Sequence, residues 1–240
     1  MPRFYVDLPL DAGAQLELPE TAARHVQVLR MQPGEPLVLF NGRGGEFAAT
    51  VLKMGKRSVL VEVGAHDPVE RESPLQLTIV QALSAAERMD YTVQKSAELG
   101  VTAIQPVISE FCQSRYSGER AEKRIAHWQA VAMSACEQCG RTRIPQILPI
   151  LKYEDYLASA PAADLRVLLS PDGAIHHSRL PTQASSVCVL IGAEGGFSRR
   201  EESDAVEAGF IPLILGPRIF RTETVAPVIA GLLQSRYGDW

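Results

Sequence analysis

Several things are scarce in this 240-residue chain, and each scarcity closes a class of function. It has only four cysteines, Cys112, Cys136, Cys139 and Cys188, too scattered for a disulfide framework. A reducing cytoplasm is therefore the expected location. No apolar run reaches membrane-spanning length and no secretory leader is visible, so no membrane partner is expected. Positive charge is not in excess either. The net charge is -4, with seven Lys+Arg against nine Asp+Glu in residues 1–70 and 17 against 19 in the rest. A whole-domain basic field is excluded, and any nucleic-acid binding must use local clusters of cations. Neither G-x-G-x-x-G nor G-x-x-x-x-G-K-[ST] occurs, which argues against a dinucleotide oxidoreductase and against a polyphosphate site. There is no internal repeat and no low-complexity segment.

What is present is a globular composition, 46% hydrophobic and 22% charged, enough for a sizeable core. The texture changes along the chain. Residues 1–68 read as a small β-rich unit, with short apolar runs at Pro36–Phe40, Phe47–Leu52 and Val59–Val63. Asn41-Gly-Arg-Gly-Gly45 and Met54-Gly-Lys-Arg57 supply turns, and one short helix is expected over Glu20–Leu29. The polar stretch 66–74, with two prolines, is the candidate linker. Residues 75–240 alternate apolar strands with helical spacing, so the expectation is α/β with a mostly parallel sheet. Ser198-Arg-Arg-Glu201 has the form of a capping box, and Thr222 is expected to cap the last helix.

Two loops follow strands and precede helices. Gly192-Ala-Glu-Gly195-Gly196 lets a ligand approach the backbone closely, and Glu194 inside it disfavours phosphate and favours a ligand carrying positive charge. Leu215-Gly-Pro-Arg-Ile-Phe-Arg-Thr-Glu-Thr-Val225 places Arg218 and Arg221 around Ile219 and Phe220, with Glu223 in the first helical turn. On spacing alone these loops define a ligand pocket at the carboxyl ends of parallel strands; a Gly-rich turn and a helix cap are the plainer alternatives. Cys136-x-x-Cys139 lies at a helix end and lacks two further ligands, so no metal is expected.

Ile191-Gly-Ala-Glu-Gly-Gly-Phe-Ser198 and the 215–225 segment together resemble the knotted SPOUT methyltransferases, and within them the RsmE family. His25-Val-Gln-Val-Leu-Arg30, Gln94-Lys-Ser-Ala-Glu-Leu-Gly-Val101 and Ala135-Cys-Glu-Gln-Cys-Gly-Arg141 resemble further motifs of that family, in order along nearly the whole chain. Three positions depart from it. Ala193 stands where Pro is usual, Cys139 where Ser is usual, and Ala85-Ala86 lacks a basic residue before Arg88-Met89.

The resemblance implies a PUA-like β-barrel domain at 1–68 and a SPOUT α/β domain with a C-terminal trefoil knot at 75–240. It implies S-adenosylmethionine as cofactor and methylation of a uridine N3 in 16S ribosomal RNA of the small subunit. The knot loops would be Leu169–Gly173, Ile191–Gly196 and Leu215–Thr224. Cofactor contacts are then expected from Leu169, Ser170, Ile191, Gly192, Glu194, Gly195, Gly196, Leu215, Gly216, Ile219, Phe220 and Thr224. Arg221 and Glu223 are the first candidates for charge stabilisation and proton acceptance, with Arg141 and Glu137 behind them. RNA contacts are expected from Arg3, His25, Arg30, Arg43, Arg88, Arg141 and Arg218, with Lys56, Arg115 and Arg120 as further phosphate candidates. A homodimer is implied, and Val225, Val228, Ile229, Leu232 and Leu233 form an apolar helix stripe that fits either a partner or the chain's own sheet. Two alternatives are a related enzyme acting on another RNA, such as transfer RNA, and a non-catalytic knotted RNA-binding protein.

Overall fold

A computed structural model describes residues 1–171 and 175–240, and Gly173 of the first expected knot loop lies outside them. The chain divides into two compact units, one of residues 1–72 with 133–144, the other of 73–132 with 145–240. No helix among the described residues is long and apolar enough to cross a membrane.

The first unit holds β1 (Arg3–Tyr5), β2 (Gln15–Glu17), α1 (Glu20–Val28), β3 (Pro36–Phe40), β4 (Glu46–Met54) and β5 (Val59–Asp67). They form one sheet in the order β1-β3-β4-β5-β2, parallel only between β1 and β3. Alternation in β5 sends Val59, Val61 and Val63 inward, where they meet Ala22, Ala23 and Val26 of α1. The Gly-rich turn predicted between β3 and β4 has left-handed φ at Gly42, Gly44 and Gly45.

Helix α1 ends in a Schellman arrangement. Met31 N–H donates to Val26 O and Arg30 N–H to Gln27 O. The residue in the left-handed position is Arg30, φ 56°, the only non-glycine with positive φ among the described residues. Glycine is usual there, and an L side chain costs about 1–2 kcal/mol.

The end of the long helix and the loop after it complete this unit. Arg141 is buried, with Nε donating to both oxygens of Glu72 at 3.1 Å. Burial works against its charge, but the Glu72 carboxylate more than offsets this and holds the guanidinium above its ordinary pKa. Arg3 pairs with Glu46 and donates to the Arg141 carbonyl at 2.9 Å.

The second unit begins with β6 (Gln76–Ala82), α2 (Ala86–Glu98), β7 (Ala103–Ile108) and α3 (Gly118–Cys139), whose last turns belong to the first unit. Then come β8 (Gln146–Ile147), β9 (Leu151–Lys152), α4 (Tyr153–Ser159), β10 (Leu165–Leu169), β11 (Ile175–His176), β12 (Ser186–Ile191), α5 (Arg199–Glu207), β13 (Ile211–Ile214) and α6 (Thr222–Tyr237). The eight strands form one parallel sheet in the order β11-β13-β10-β12-β6-β7-β8, with β9 also on β7. Its central strands are apolar on both faces, as a covered parallel sheet requires.

The Ser198 capping box is present in full, and Gly100 and Gly209 take left-handed φ after their helices. Thr222 is not the cap expected of it. Arg221 occupies the N-cap position without a side-chain bond, because the Thr222 hydroxyl has a partner elsewhere. The expected stripe on α6 is also split. Ile229 and Leu233 are buried with Ala226 and Ala230, whereas Val228 is exposed and Val225 and Leu232 are half-buried.

Replacing Glu72 by Ala strands a buried guanidinium. It should destabilise the fold by about 3–5 kcal/mol in urea unfolding, far more than an exposed pair would.

Candidate active site

The carboxyl ends of β10, β12 and β13 are neighbours in the sheet, and the three segments leaving them enclose a cavity of about 580 Å³. That size suits a nucleoside-sized ligand. From β10 come Leu169, Ser170 and Pro171; from β12 the whole run Ile191–Phe197; from β13 the run Ile214–Gly216, followed by Arg218–Thr222. Of the twelve residues expected at a cofactor, eleven line this cavity and Thr224 does not.

The glycines of the first loop are fixed by close contacts. A Cβ on Gly192 would stand 2.9 Å from the backbone of Gly196, and one on Gly195 would stand 2.9 Å from Phe111 Cβ. Gly196 has φ 71° and donates its N–H to Ala193 O, closing a tight turn. Ala193, where the family pattern has Pro, is buried inside that turn.

A polar node ties this loop to the last helix. Thr222 Oγ1 donates to Gly192 O at 2.7 Å and accepts from Gln81 Nε2 at 3.0 Å. Gln81 Nε2 also reaches Gly192 O and Ala82 O. Gln81 was not among the expected site residues. A glutamine inside the apolar run Leu75–Leu83 was the signal that could have found it. Arg199 and Glu202 on the cavity wall were likewise missed, since the capping box around them marks a helix start and not a site.

Charge is arranged around the cavity mouth. Glu194 Oε1 accepts from Ala85 N–H at 2.9 Å and from Arg88 Nη1 at 2.8 Å. Burial raises its pKa, but the Ala85 and Glu194 N–H groups and the Arg88 guanidinium outweigh this, leaving the carboxyl below its ordinary value. Arg88 Nε lies 3.6 Å from Glu223 Oε2, a buried oxygen with no hydrogen-bond partner. Arg221 is exposed on the cavity wall, and Glu223 is not part of that wall. Ile219 stands 88% exposed.

The residues expected to meet RNA are placed very differently from one another. Arg88 and Arg218 line the cavity. Arg30 and Arg43 are exposed on the first unit. His25 is half-exposed, 3.4 Å from Glu137, whose other oxygen accepts from Tyr5 N–H. Burial raises the Glu137 carboxyl above its ordinary value, Tyr5 and His25 opposing. Glu137 is absent from the cavity wall. Arg3 and Arg141 are committed to the carboxylates and carbonyl already named. Cys136 is buried with its thiol toward Arg143 O, and its hydrogen bond with Cys139, aided by burial, holds that thiol protonated. Among the described residues no group of three His, Cys, Asp or Glu is placed to hold a metal.

Residues 71–234 match the family model of an RNA methyltransferase domain, and residues 18–64 match that of an RNA methyltransferase PUA domain. The chain belongs to the RsmE family. A ribosomal RNA small subunit methyltransferase E of Buchnera aphidicola is 33% identical over all of this chain and 98% of that protein. Two solved structures are each 40% identical. A ribosomal RNA small subunit methyltransferase E from Neisseria gonorrhoeae, bound to S-adenosyl methionine, superposes with a TM-score of 0.94 over all of this chain and 99% of that one. A methyltransferase from Legionella pneumophila, in complex with SAM, gives 0.96 over 99% and 98%. The fold expected from the resemblance, a PUA-like domain followed by a parallel-sheet methyltransferase domain, is the one observed.

Thr222→Val keeps the shape of the node and removes its hydroxyl. It should cost about 1–3 kcal/mol in chemical unfolding and loosen the 192–196 turn, whereas Thr222→Ser should stay near the parent.

Proposed function

We infer that the protein transfers a methyl group from S-adenosylmethionine to N3 of a uridine in 16S ribosomal RNA of the small subunit. The observation that carries this is the cavity at three adjacent strand ends, apolar along Leu169, Ile191 and Leu215 and bordered by the Glu194 carboxylate. These residues fit the cofactor: apolar walls for adenine, close backbone along Gly192–Gly196 and Leu215–Gly216, and carboxylate charge for a cationic ligand. Bound there, the cofactor supplies an electrophilic methyl group, which needs alignment more than activation.

The harder demand falls on the base. A uracil imide is protonated at neutral pH, so N3 must lose its proton as it gains the methyl. We assign the proton to Glu223, whose Oε2 is the orphaned carboxylate oxygen beside the cavity. Arg221 would meet the uracil oxygen that gains charge as the proton leaves. Arg88, bridging Glu194 and Glu223, offsets the cost of keeping two carboxylates close together.

The same reading assigns residues 1–68 to RNA binding and 75–240 to catalysis, with the chain knotted near its end. It adds a homodimer, to cover Val225, Val228 and Leu232 on the outer side of α6. Action on ribosomal RNA places the protein in the cytoplasm. Arg218, beside Arg221, would guide the target strand.

The deciding experiment supplies labelled cofactor to small subunits lacking the mark and identifies the product nucleoside by mass. N3-methyluridine is expected; transfer only to transfer RNA, or none at all, would reject the reading. In that assay Arg221→Ala and Glu223→Gln should each lower kcat by about 100-fold or more while cofactor affinity stays within a few-fold of the parent. Full turnover in both variants would remove them from the mechanism.

A further inference from the structure

Among the described residues, six charged side chains line the cavity, and four of them already have partners or tasks. Arg88 and Glu194 hold each other at 2.8 Å. Arg218 and Arg221 share the loop after β13 and face the RNA in the reading above. Arg199 and Glu202, at the start of α5, are left over. Neither forms an ion pair or a side-chain hydrogen bond among the described residues.

The two are neighbours on the helix surface, because residues three apart carry their Cβ atoms about 5–6 Å from one another. The residues between them are engaged elsewhere. Arg200 Nε lies 3.8 Å from Asp204 Oδ2. Glu201 is buried, accepting from Ser198 N–H at 2.9 Å and from Glu110 N–H at 2.7 Å. Arg200 and Glu201 line a separate cavity with Arg115, Lys152 and Asp204, so α5 gives only Arg199 and Glu202 to the first one.

A solvated helix start would account for Glu202, since acids are favoured there. It does not account for Arg199. That residue opens α5, where the positive end of the helix disfavours a cation. Arg200 beside it has Asp204 one turn on to offset this, and Arg199 has no such carboxylate. Glu202 is half-buried on the wall without a cation of its own. An acid and a cation thus stand side by side at the cavity, each lacking its counter-charge.

S-adenosylmethionine ends in a group of matching form, an ammonium and a carboxylate on one carbon. We propose that α5 holds the amino-acid end of the cofactor, with Glu202 accepting from the ammonium and the Arg199 guanidinium donating to the carboxylate. The contact fixes the tail, and with it the direction of the sulfonium methyl. The inference rests on the reading that this cavity receives the cofactor. It adds what distinguishes the whole cofactor from an adenosine without the amino acid.

The test measures calorimetric binding of four probes to the full-length protein. S-adenosylmethionine and S-adenosylhomocysteine carry both tail charges, decarboxylated S-adenosylmethionine carries only the ammonium, and methylthioadenosine carries neither. Glu202→Gln should weaken the first three by about tenfold or more and leave methylthioadenosine within about twofold of the parent. Arg199→Gln should weaken the first two by a similar factor and spare the other two. Arg199→Lys, which keeps the charge, should retain most of the parent's affinity. Full affinity for S-adenosylmethionine in both Gln variants would overturn the proposal. So would a loss shared by methylthioadenosine, because the contact would then not be confined to the tail. A Glu202→Gln loss on S-adenosylmethionine but not on S-adenosylhomocysteine would place that carboxylate at the sulfonium and also overturn it. The parent protein separates the two levels. If it binds no S-adenosylmethionine, the underlying reading fails; if it binds the cofactor and the variants bind it equally, only the assignment to α5 fails.

Discussion

The second unit depends on one carbonyl. Gly192 O receives the Thr222 hydroxyl and the Gln81 amide, so the end of β6, the loop after β12 and the start of α6 meet at a single oxygen. A parallel strand ends with its carbonyls unpaired, and beyond a sheet there is little to receive. Here those groups are satisfied by side chains from two other elements, and the cavity is what remains beside them. Because Thr222 bonds sideways into this node, it cannot cap its own helix. The α6 terminus then keeps its first N–H groups without a side-chain acceptor, at the edge of a site expected to receive anionic RNA.

Charge around the cavity follows the same economy of shared partners. Arg88 serves Glu194 on one side and Glu223 on the other, at 2.8 and 3.6 Å. The longer separation leaves Glu223 Oε2 without a hydrogen bond although it is buried. A buried carboxylate oxygen with no donor is costly in a structural residue. In a proton acceptor it is what the task requires, since a satisfied oxygen would have to break a bond before accepting. Glu194 shows the contrast: three groups favour its charged form, so it suits permanent negative charge rather than proton transfer.

How much of this was legible beforehand can be judged from particular residues. The alternation of parallel strands and helices was readable because continuous apolar runs and glycine stops encode it, although α4 was not read. Leu169, Ile191 and Leu215 were expected together only through the family resemblance, which links loops that no local pattern joins. Gln81 was not placed in the site, since its partners lie 111 and 141 residues away and no local pattern links them. Thr222 was misread for the related reason that capping is a local habit and its actual partner is distant. The short strands β8, β9 and β11 escaped because two residues carry no periodicity.

The first unit shows why net charge is a poor guide to nucleic-acid binding. Three of its acids are held in pairs, Glu46 with Arg3 and Arg71, Glu72 with Arg141, and Glu70 with Arg143. An internal pair cancels in the field felt at a distance, so those residues contribute little to what an approaching polyanion meets. What that polyanion meets is set by the charges left without partners. Around α1 these are Arg24 and Arg30 together with Glu20 and Glu35, and Arg30 is held against its backbone preference. The net charge of a domain therefore says less than the placement of the charges, of either sign, that have no partner.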